Sequence, residues 1–337
     1  MDKKMRSGGQ VLVDQLIHQG VTDAFCVPGE SYLAVLDALY LKRDLISLYV
    51  ARQDGGAAFM AEAYGKATGK PGICFVTRGP GATNASIGVH TAFQDSSPMI
   101  LFVGQVGGDM VDREAFQEMD YRRMFGQMTK WVTQIDRAER IPEYVARAFQ
   151  IACSGRPGPV VLALPEDMLI ESVDVTDAQK VVRAKNRPTG KSIKEVQVLF
   201  EQSKKPLVIL GGSGWSERAC ELVKTFAENN HLPVGCSFRR QDLYDNHHPN
   251  YVGDIGIGIN PRLADMVRES DLLLVLGARL GEMTTSGYTL VEAPMPKQRL
   301  IHIHPGLEEL GRVFQGSVLI NSDIEEAVDA LVSMPSM

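Results

Sequence analysis

Val50-Ala51-Arg52-Gln53-Asp54-Gly55-Gly56-Ala57-Ala58-Phe59-Met60-Ala61-Glu62-Ala63-Tyr64-Gly65 is the stretch on which the reading of the fold turns. An apolar strand ending in Tyr49-Val50 runs into a polar corner, Arg52-Gln53-Asp54. Two glycines follow, then a helix whose small residues can press its backbone close against a sheet or another helix. The corner leaves one carboxylate, Asp54, where a strand ends and a helix begins, the edge at which open α/β sheets bind their ligands. Asp54 can equally be a plain N-cap that accepts helix N–H bonds. Both readings stand on the residues alone.

Working outward, strand-like and helix-like segments alternate. Toward the N-terminus, residues 8–20 carry Val11, Leu12, Leu16 and Ile17 at helical spacing, with Gly20 as C-cap. Asp23 to Val27 is a strand stopped by Pro28-Gly29. Ser31 is expected to cap a helix with an apolar stripe of Leu33, Val35, Leu36, Leu39 and Tyr40, and Leu45 to Val50 is the next strand. Toward the C-terminus, a Gly/Pro stop at Gly69-Lys70-Pro71 ends the Asp54 helix. The strand Gly72 to Thr77, the turn Gly79-Pro80-Gly81-Ala82-Thr83-Asn84, a helix to about Phe93 and the strand Pro98 to Gly104 follow. A helix from Pro142 to Cys153 and the strand Pro159 to Leu164 close the series. Continuous apolar strands alternating with helices imply a parallel sheet covered on both faces.

Residues 172–190 are polar, with Pro and Gly, and read as a linker; its limits are set at 176–190. A second α/β series occupies 191–337. A capping box of Ser192 and Glu195 opens a helix with Val196, Leu199 and Phe200 inward. Leu207 to Leu210 runs into Gly211-Gly212-Ser213-Gly214, and a helix spans Glu217 to Asn230. The strands Leu272 to Gly277 and Leu300 to His304 precede a last helix from Asp323, which buries Ile324, Ala327, Val328, Leu331 and Val332. The fold class is therefore α/β: two open, mainly parallel-sheet domains with helices on both faces.

The totals exclude several functions. A length of 337 residues favours two domains. Hydrophobic content of 44% and charged content of 23% are ordinary for a globular protein, and a net charge of −6 with scattered basic residues argues against nucleic-acid binding. The start, Met1-Asp2-Lys3-Lys4-Met5-Arg6, is not a signal peptide, and no apolar run is long enough to cross a bilayer. Cys26, Cys74, Cys153, Cys220 and Cys236 are odd in number and widely spaced, as reduced thiols in a cytoplasmic protein would be.

Four constellations could carry chemistry. Gly79 to Asn84, between a strand and a helix, can cradle a phosphate or approach a flat ring, or be only a tight turn; no Gly-Lys-Ser/Thr makes it a P-loop. Gly211 to Gly214 lacks the G-x-G-x-x-G spacing of a dinucleotide site and reads as a glycine turn. His302 and His304 share one strand face without a third metal ligand nearby, and His247-His248 sits in a polar loop, so no metal is expected. Glu30, after Pro28-Gly29 at the end of the first strand, faces the same crevice as Asp54 and the Gly79 turn. Three strand ends converging on one place outweigh any single motif.

These residues resemble the thiamine-diphosphate-dependent acetolactate synthase family. The resemblance rests on Val27-Pro28-Gly29-Glu30, Arg52 to Tyr64, Ala67-Thr68-Gly69-Lys70-Pro71-Gly72, Gly79 to Asn84, Gly104-Gln105-Val106, Phe116-Gln117-Glu118 and Thr129-Lys130, in order through residues 8–170. Lys205-Pro206-Leu207 to Gly214 and Ser270 to Leu280 are similar to that family's central domain. The resemblance implies a pyrimidine-binding domain over 1–175 and a Rossmann-like central domain over 191–337. It implies thiamine diphosphate with Mg²⁺, admits FAD without a residue that speaks for it, and implies 2-oxo acid substrates and a dimer or tetramer with the cofactor between subunits.

The family carboxylate that protonates the aminopyrimidine, so that its imino form takes the proton from thiazolium C2, falls at Asp54. Pro28, Gly29, Thr77, Pro80, Gly81 and Asn84 would line the cofactor, and Phe116, Gln117 and Glu30 would border substrate. Three departures qualify this. Asp54 stands where the family has Glu, one methylene longer, although proton transfer needs a reach of about 2.6–3.2 Å. Glu30 stands where such synthases have Gly, which narrows and charges the pocket and suggests another substrate, or a lyase. The C-terminal domain that holds the diphosphate and Mg²⁺ through Gly-Asp-Gly…Asn is missing; Gly253-Asp254-Ile255-Gly256 only echoes it. The chain is thus expected to be inactive alone, as a fragment or one subunit of a lyase or transferase. The alternative is a noncatalytic relative that acts as a binding or assembly subunit.

Overall fold

A computed structural model describes residues 5–335 and divides between Arg183 and Ala184 into two compact units. The first four residues, on which part of the signal-peptide reading rests, lie outside the described residues. In the first unit the chain runs β1 (Arg6–Ser7), α1 (Gly8–His18), β2 (Asp23–Cys26), α2 (Leu33–Leu41), β3 (Ser47–Val50), α3 (Asp54–Thr68), β4 (Gly72–Val76) and α4 (Gly79–Asp95). It continues through β5 (Met99–Gln105), α5 (Tyr121–Phe125), β6 (Trp131–Gln134), α6 (Ile141–Cys153), β7 (Pro159–Pro165), α7 (Glu166–Ile170) and β8 (Ser172–Val173). Six parallel strands form one sheet in the order β3-β2-β4-β5-β7-β6. From β2 the chain steps outward to β3 and then back past β2 to β4. The order therefore reverses between β2 and β4, and a crevice opens outside their C-terminal ends.

The continuous apolar strands feed two cores, because alternate side chains leave opposite faces of a strand. Ile73, Phe75, Ile100, Phe102, Val160 and Leu162 pack under α1, α2 and α6. Cys74, Val76, Leu101, Val103, Val161 and Ala163 pack under α3, α4 and α5. The small residues of α3 let it lie nearly against the sheet. A Cβ on Gly72 would fall 1.8 Å from the Ala61 carbonyl oxygen.

Several local expectations are corrected. Ser31 caps nothing: it lies in a 3-10 turn and its Oγ is 2.9 Å from Thr77 Oγ1. On α2, Val35, Ala38 and Leu39 are buried but Leu33 and Tyr40 are exposed. β3 is an edge strand with Tyr49 and Val50 exposed, and β6 at the other edge gave no strand pattern in the sequence. The stretch read as a linker is held along its length. Gln15, fully buried, donates to the Ala178 carbonyl and accepts from its N–H, and Gln19 does the same with Gln179 O and Val181 N. Arg6 reaches Val175 O and Asp177. Further on, Asn186 exchanges hydrogen bonds with Asp323, within the second unit.

The second unit contains α8 (Gly190–Glu201), β9 (Pro206–Leu210), α9 (Glu217–Asn229), β10 (Val234–Ser237), β11 (Tyr251–Ile255) and α10 (Pro261–Glu269). It ends with β12 (Leu272–Leu276), β13 (Arg299–His304), β14 (Val318–Asn321) and α11 (Ile324–Val332). Its parallel sheet runs β11-β10-β9-β12-β13-β14. Thr189, not Ser192, caps α8. Gly211 to Gly214 follows β9 with a packing role: Gly212, at φ 68°, would put a Cβ 1.9 Å from Gly277 O. Gly253 to Ile255 belongs to the edge strand β11.

His302 and His304 lie buried on one face of β13, with ring centres 6.0 Å apart. His302 Nε2 donates to Ala278 O at 2.9 Å. Burial, then His304, pushes the His302 imidazole down to about 4. The unfolded chain therefore takes up a proton below about pH 6.5 that the folded chain refuses until about pH 4. Stability is full above the unfolded value and is lost on acidification through that window, by about 3 kcal/mol at most. Melting of the wild-type chain and of His302→Gln between pH 7 and 4 should show a shallower acid slope in the variant. Equal slopes would remove His302 as the cause.

Candidate active site

The crevice between β2 and β4 gathers three chain segments. The Asp54 corner follows β3, residues 28–32 follow β2, and residues 77–84 follow β4. At the corner, Gln53 rather than Asp54 is the N-cap of α3: its Oε1 accepts the Gly56 N–H at 2.8 Å. Asp54 is thereby released from capping and becomes the first residue of the helix, only 8% exposed. Its Oδ2 accepts from Asn84 Nδ2 at 3.3 Å, while its buried Oδ1 has no partner. A buried acceptor without a donor costs roughly 1–3 kcal/mol, so such an atom calls for an explanation.

Gly81 makes room for that oxygen. A Cβ there would fall 3.2 Å from Asp54 Oδ1 and would also crowd Val76 and Thr77. Thr77 ties in the β2 end: it contacts Ser31 by hydrogen bond, and a Cβ on Gly29 would fall 2.5 Å from Thr77 Cβ. Asp54, Asn84, Gly81, Thr77 and Gly29 are therefore brought together. Pro80 is exposed in the first turn of α4, and Pro28 is exposed at the end of β2. Glu30 is exposed in the 3-10 turn; among the described residues no hydrogen bond or ion pair holds its carboxylate.

Phe116 and Gln117 reach the same edge through a residue the sequence reading passed over. Arg78, buried, donates from one terminal nitrogen to Phe116 O at 3.0 Å and from the other to Glu166 at 2.7 Å. The Gly79 N–H donates to Gln117 O at 3.0 Å. Phe116 is nonetheless 69% exposed. Glu118 ties the loop to itself by accepting from the Asp112 and Ala115 N–H groups. Gln117 and Glu118 also wall a cavity of about 760 Å³ toward Gln134 and Asp136, which Asp54 does not line. Arg78 Nε is a second buried polar atom without a partner. The only sequence signal for Arg78 is its position between the strand and the glycine turn.

Arg78→Met should loosen this loop, in which Asp112, Glu114 and Gln117 adopt positive φ. Amide hydrogen exchange of residues 112–119 is expected to quicken about tenfold or more, with about 1–3 kcal/mol of stability lost. Unchanged exchange there would show that the loop holds itself.

No group of three or more His, Cys, Asp or Glu among the described residues is arranged to hold a metal ion, and no helix among them is long and apolar enough to cross a membrane. The residues at Asp54 fit a flat, nitrogen-bearing ring, since a buried oxygen awaits a donor beside a wall kept clear by Gly81.

Comparison with known proteins places both units in one family. Residues 6–124 match "Thiamine pyrophosphate enzyme, N-terminal TPP binding domain", and residues 193–331 match "Thiamine pyrophosphate enzyme, central domain". The chain is similar to the acetolactate synthase isozyme 2 large subunit of Escherichia coli (strain K12), 30% identical over 325 residues, 96% of this chain and 58% of that protein. It is similar to a probable acetolactate synthase large subunit of Methanocaldococcus jannaschii, 31% identical over 97% of this chain and 56% of that protein. Acetolactate synthase 2, chloroplastic, of Nicotiana tabacum is 32% identical over 98% of this chain and 50% of its own length. The chain spans about half the length of these curated relatives, 50–58%.

Proposed function

We propose a function on one premise: the chain belongs to the thiamine pyrophosphate enzyme family, carrying that family's N-terminal TPP binding domain and central domain. The first unit holds the aminopyrimidine end of thiamine diphosphate, and the complete enzyme decarboxylates or joins 2-oxo acids. The observation that carries this reading is the buried Asp54 carboxylate, relieved of helix capping by Gln53 and left with one free oxygen. Thiamine diphosphate, when bound, supplies an electron sink for breaking or making a bond next to a carbonyl.

The chain's own residues do the rest. Asn84 holds Asp54 Oδ2, so Oδ1 is free to accept an N–H from the pyrimidine ring and to exchange a proton with it. Gly81 lets the ring approach the shorter carboxylate. Arg78 and the Gly79 N–H hold Phe116 and Gln117 at the substrate side of the crevice. Exposed Glu30 places a negative charge there, which disfavours a second anionic 2-oxo acid and favours a lyase, or a neutral acceptor, over acetolactate synthesis. The diphosphate and Mg²⁺ fall to a part of the complete enzyme outside these two units. Self-association as a dimer or tetramer is supported by exposed Val50, Phe59, Met60 and Ile87 on and beside the helices that carry Asp54 and Asn84. A cytoplasmic, reducing setting suits five free cysteines.

Deuterium exchange at cofactor C2, with this chain supplied together with its diphosphate-binding part, tests the reading. Exchange faster than in free thiamine diphosphate is expected. No acceleration would sink the catalytic reading and leave a binding or assembly subunit.

A further inference from the structure

At the edge of the first sheet opposite Asp54, where β2 and β4 begin and α3 and α6 end, lies a cavity of about 270 Å³. Val21, Tyr64, Pro71 and Phe149 line it with apolar surface, and Lys70, Lys180 and Arg183 stand around it. Its volume is near the lower end of the roughly 300–1,000 Å³ of small-molecule pockets. We propose that it binds a small amphiphilic carboxylate, whose branched-alkyl or aryl body fills the apolar part and whose head pairs with Lys70 and Lys180. This does not rest on the reading of the Asp54 edge.

Three observations point to an anion with an apolar body. The charges are unbalanced: against Lys70 and Lys180 the lining offers one carboxylate, Asp23. Neither Lys70 nor Lys180 makes an ion pair among the described residues. Helix C-termini also attract cations, but here that demand is met by other groups. The end of α6 is served by Lys130, which donates to Ile151 O and Ser154 O, and α3 closes with Gly69 N–H on Gly65 O.

The wall is also built rather than incidental. Buried Gln19 holds Gln179 O at 3.0 Å and Val181 N at 2.9 Å, fixing the backbone on both sides of Lys180. The ammonium of Lys180 leans over Gly20, 3.1 Å from where a Cβ would stand. Cys153 adds no negative charge, because burial pushes its thiol up to about 11. The segment bearing Lys180 and Arg183 is the one that leads out of the first unit. A bound carboxylate would add the Lys180 side chain to the contacts that already hold this segment to the first unit.

The test is titration of the full chain with 3-phenylpropanoate and 4-methylpentanoate, followed by NMR, with the corresponding amides and inorganic phosphate as comparators. Saturable shifts confined to the cavity are expected, with the amides at least about tenfold weaker and phosphate weaker still. A Lys70→Gln, Lys180→Gln variant, altered only at exposed side chains, should melt as wild type and bind the carboxylates about tenfold less well. Amide exchange of residues 178–183 should slow on binding. Asp54→Asn should leave all of this unchanged, so failure here is separable from failure of the cofactor reading. Absent or unsaturable binding, equal binding of the amides or of phosphate, or full affinity in the double variant would overturn the proposal.

Discussion

Asp54→Asn in the reconstituted enzyme is expected to lower cofactor C2–H exchange by about 10²–10⁴-fold, the usual share of a positioned acid–base group, while the first unit melts no lower than wild type. The two parts of this result have separate causes. Asparagine matches aspartate in shape, and its amide oxygen can still accept from Asn84, so packing is preserved. It also removes a buried negative charge, which offsets the cost of leaving the amide nitrogen where the unpartnered oxygen stood. What it cannot do is exchange a proton near neutral pH. Exchange and melting measured on the same preparation separate the effects; unchanged exchange would remove Asp54 from the chemistry. Asp54→Glu sharpens the point. Asn84 holds the carboxylate at the reach of the shorter side chain, so the extra methylene is expected to carry it off that contact and reduce exchange. A gain instead would mark the natural site as attenuated.

Gly72→Val is expected to be the most damaging single change to the first unit, costing upward of about 3 kcal/mol. Already the Cβ would stand 1.8 Å from the Ala61 carbonyl oxygen and 2.6 Å from its carbon. Those are backbone atoms of α3, so no side chain can rotate away, and the helix must lift from the sheet. For a unit of this size the loss corresponds to a fall of about 10 °C in melting temperature. The same lift displaces Asp54, the first residue of α3, from Asn84 on α4. Any surviving folded protein should therefore lose C2 exchange as well. Wild-type melting would mean that α3 does not pack as described.

The prediction at Gly72 joins fold to chemistry, and it also marks how far the chain could be read without coordinates. Alternating apolar runs and helical stripes decide, by periodicity alone, that both units are α/β with parallel sheets, because a strand buried on both faces must be apolar throughout. The interior strand β10 is not legible because it is short and Gly235 and Ser237 interrupt its apolar run, and the edge strands β6, β11 and β14 escape that logic for another reason. One face of an edge strand is only partly covered, and polar residues such as Gln134, Asp254 and Asn321 break the pattern. The order of motifs from Val27 to Glu118 suffices to point to Asp54 and the Gly79 turn.

What it cannot decide is which of two jobs Asp54 has. That depends on whether another residue caps α3, and the answer lies in the rotamer of Gln53. Nor can spacing reveal that Gln15 and Gln19 pin the chain near 178–181, or that Arg78 holds Phe116. Those contacts join residues 38 to 163 positions apart. The sequence alone determines the sheets and the carboxylate at their edge. Only the tertiary structure leaves one oxygen of that carboxylate buried and without a donor, because packing of α3 against α4 and the sheet excludes both water and any competing cap.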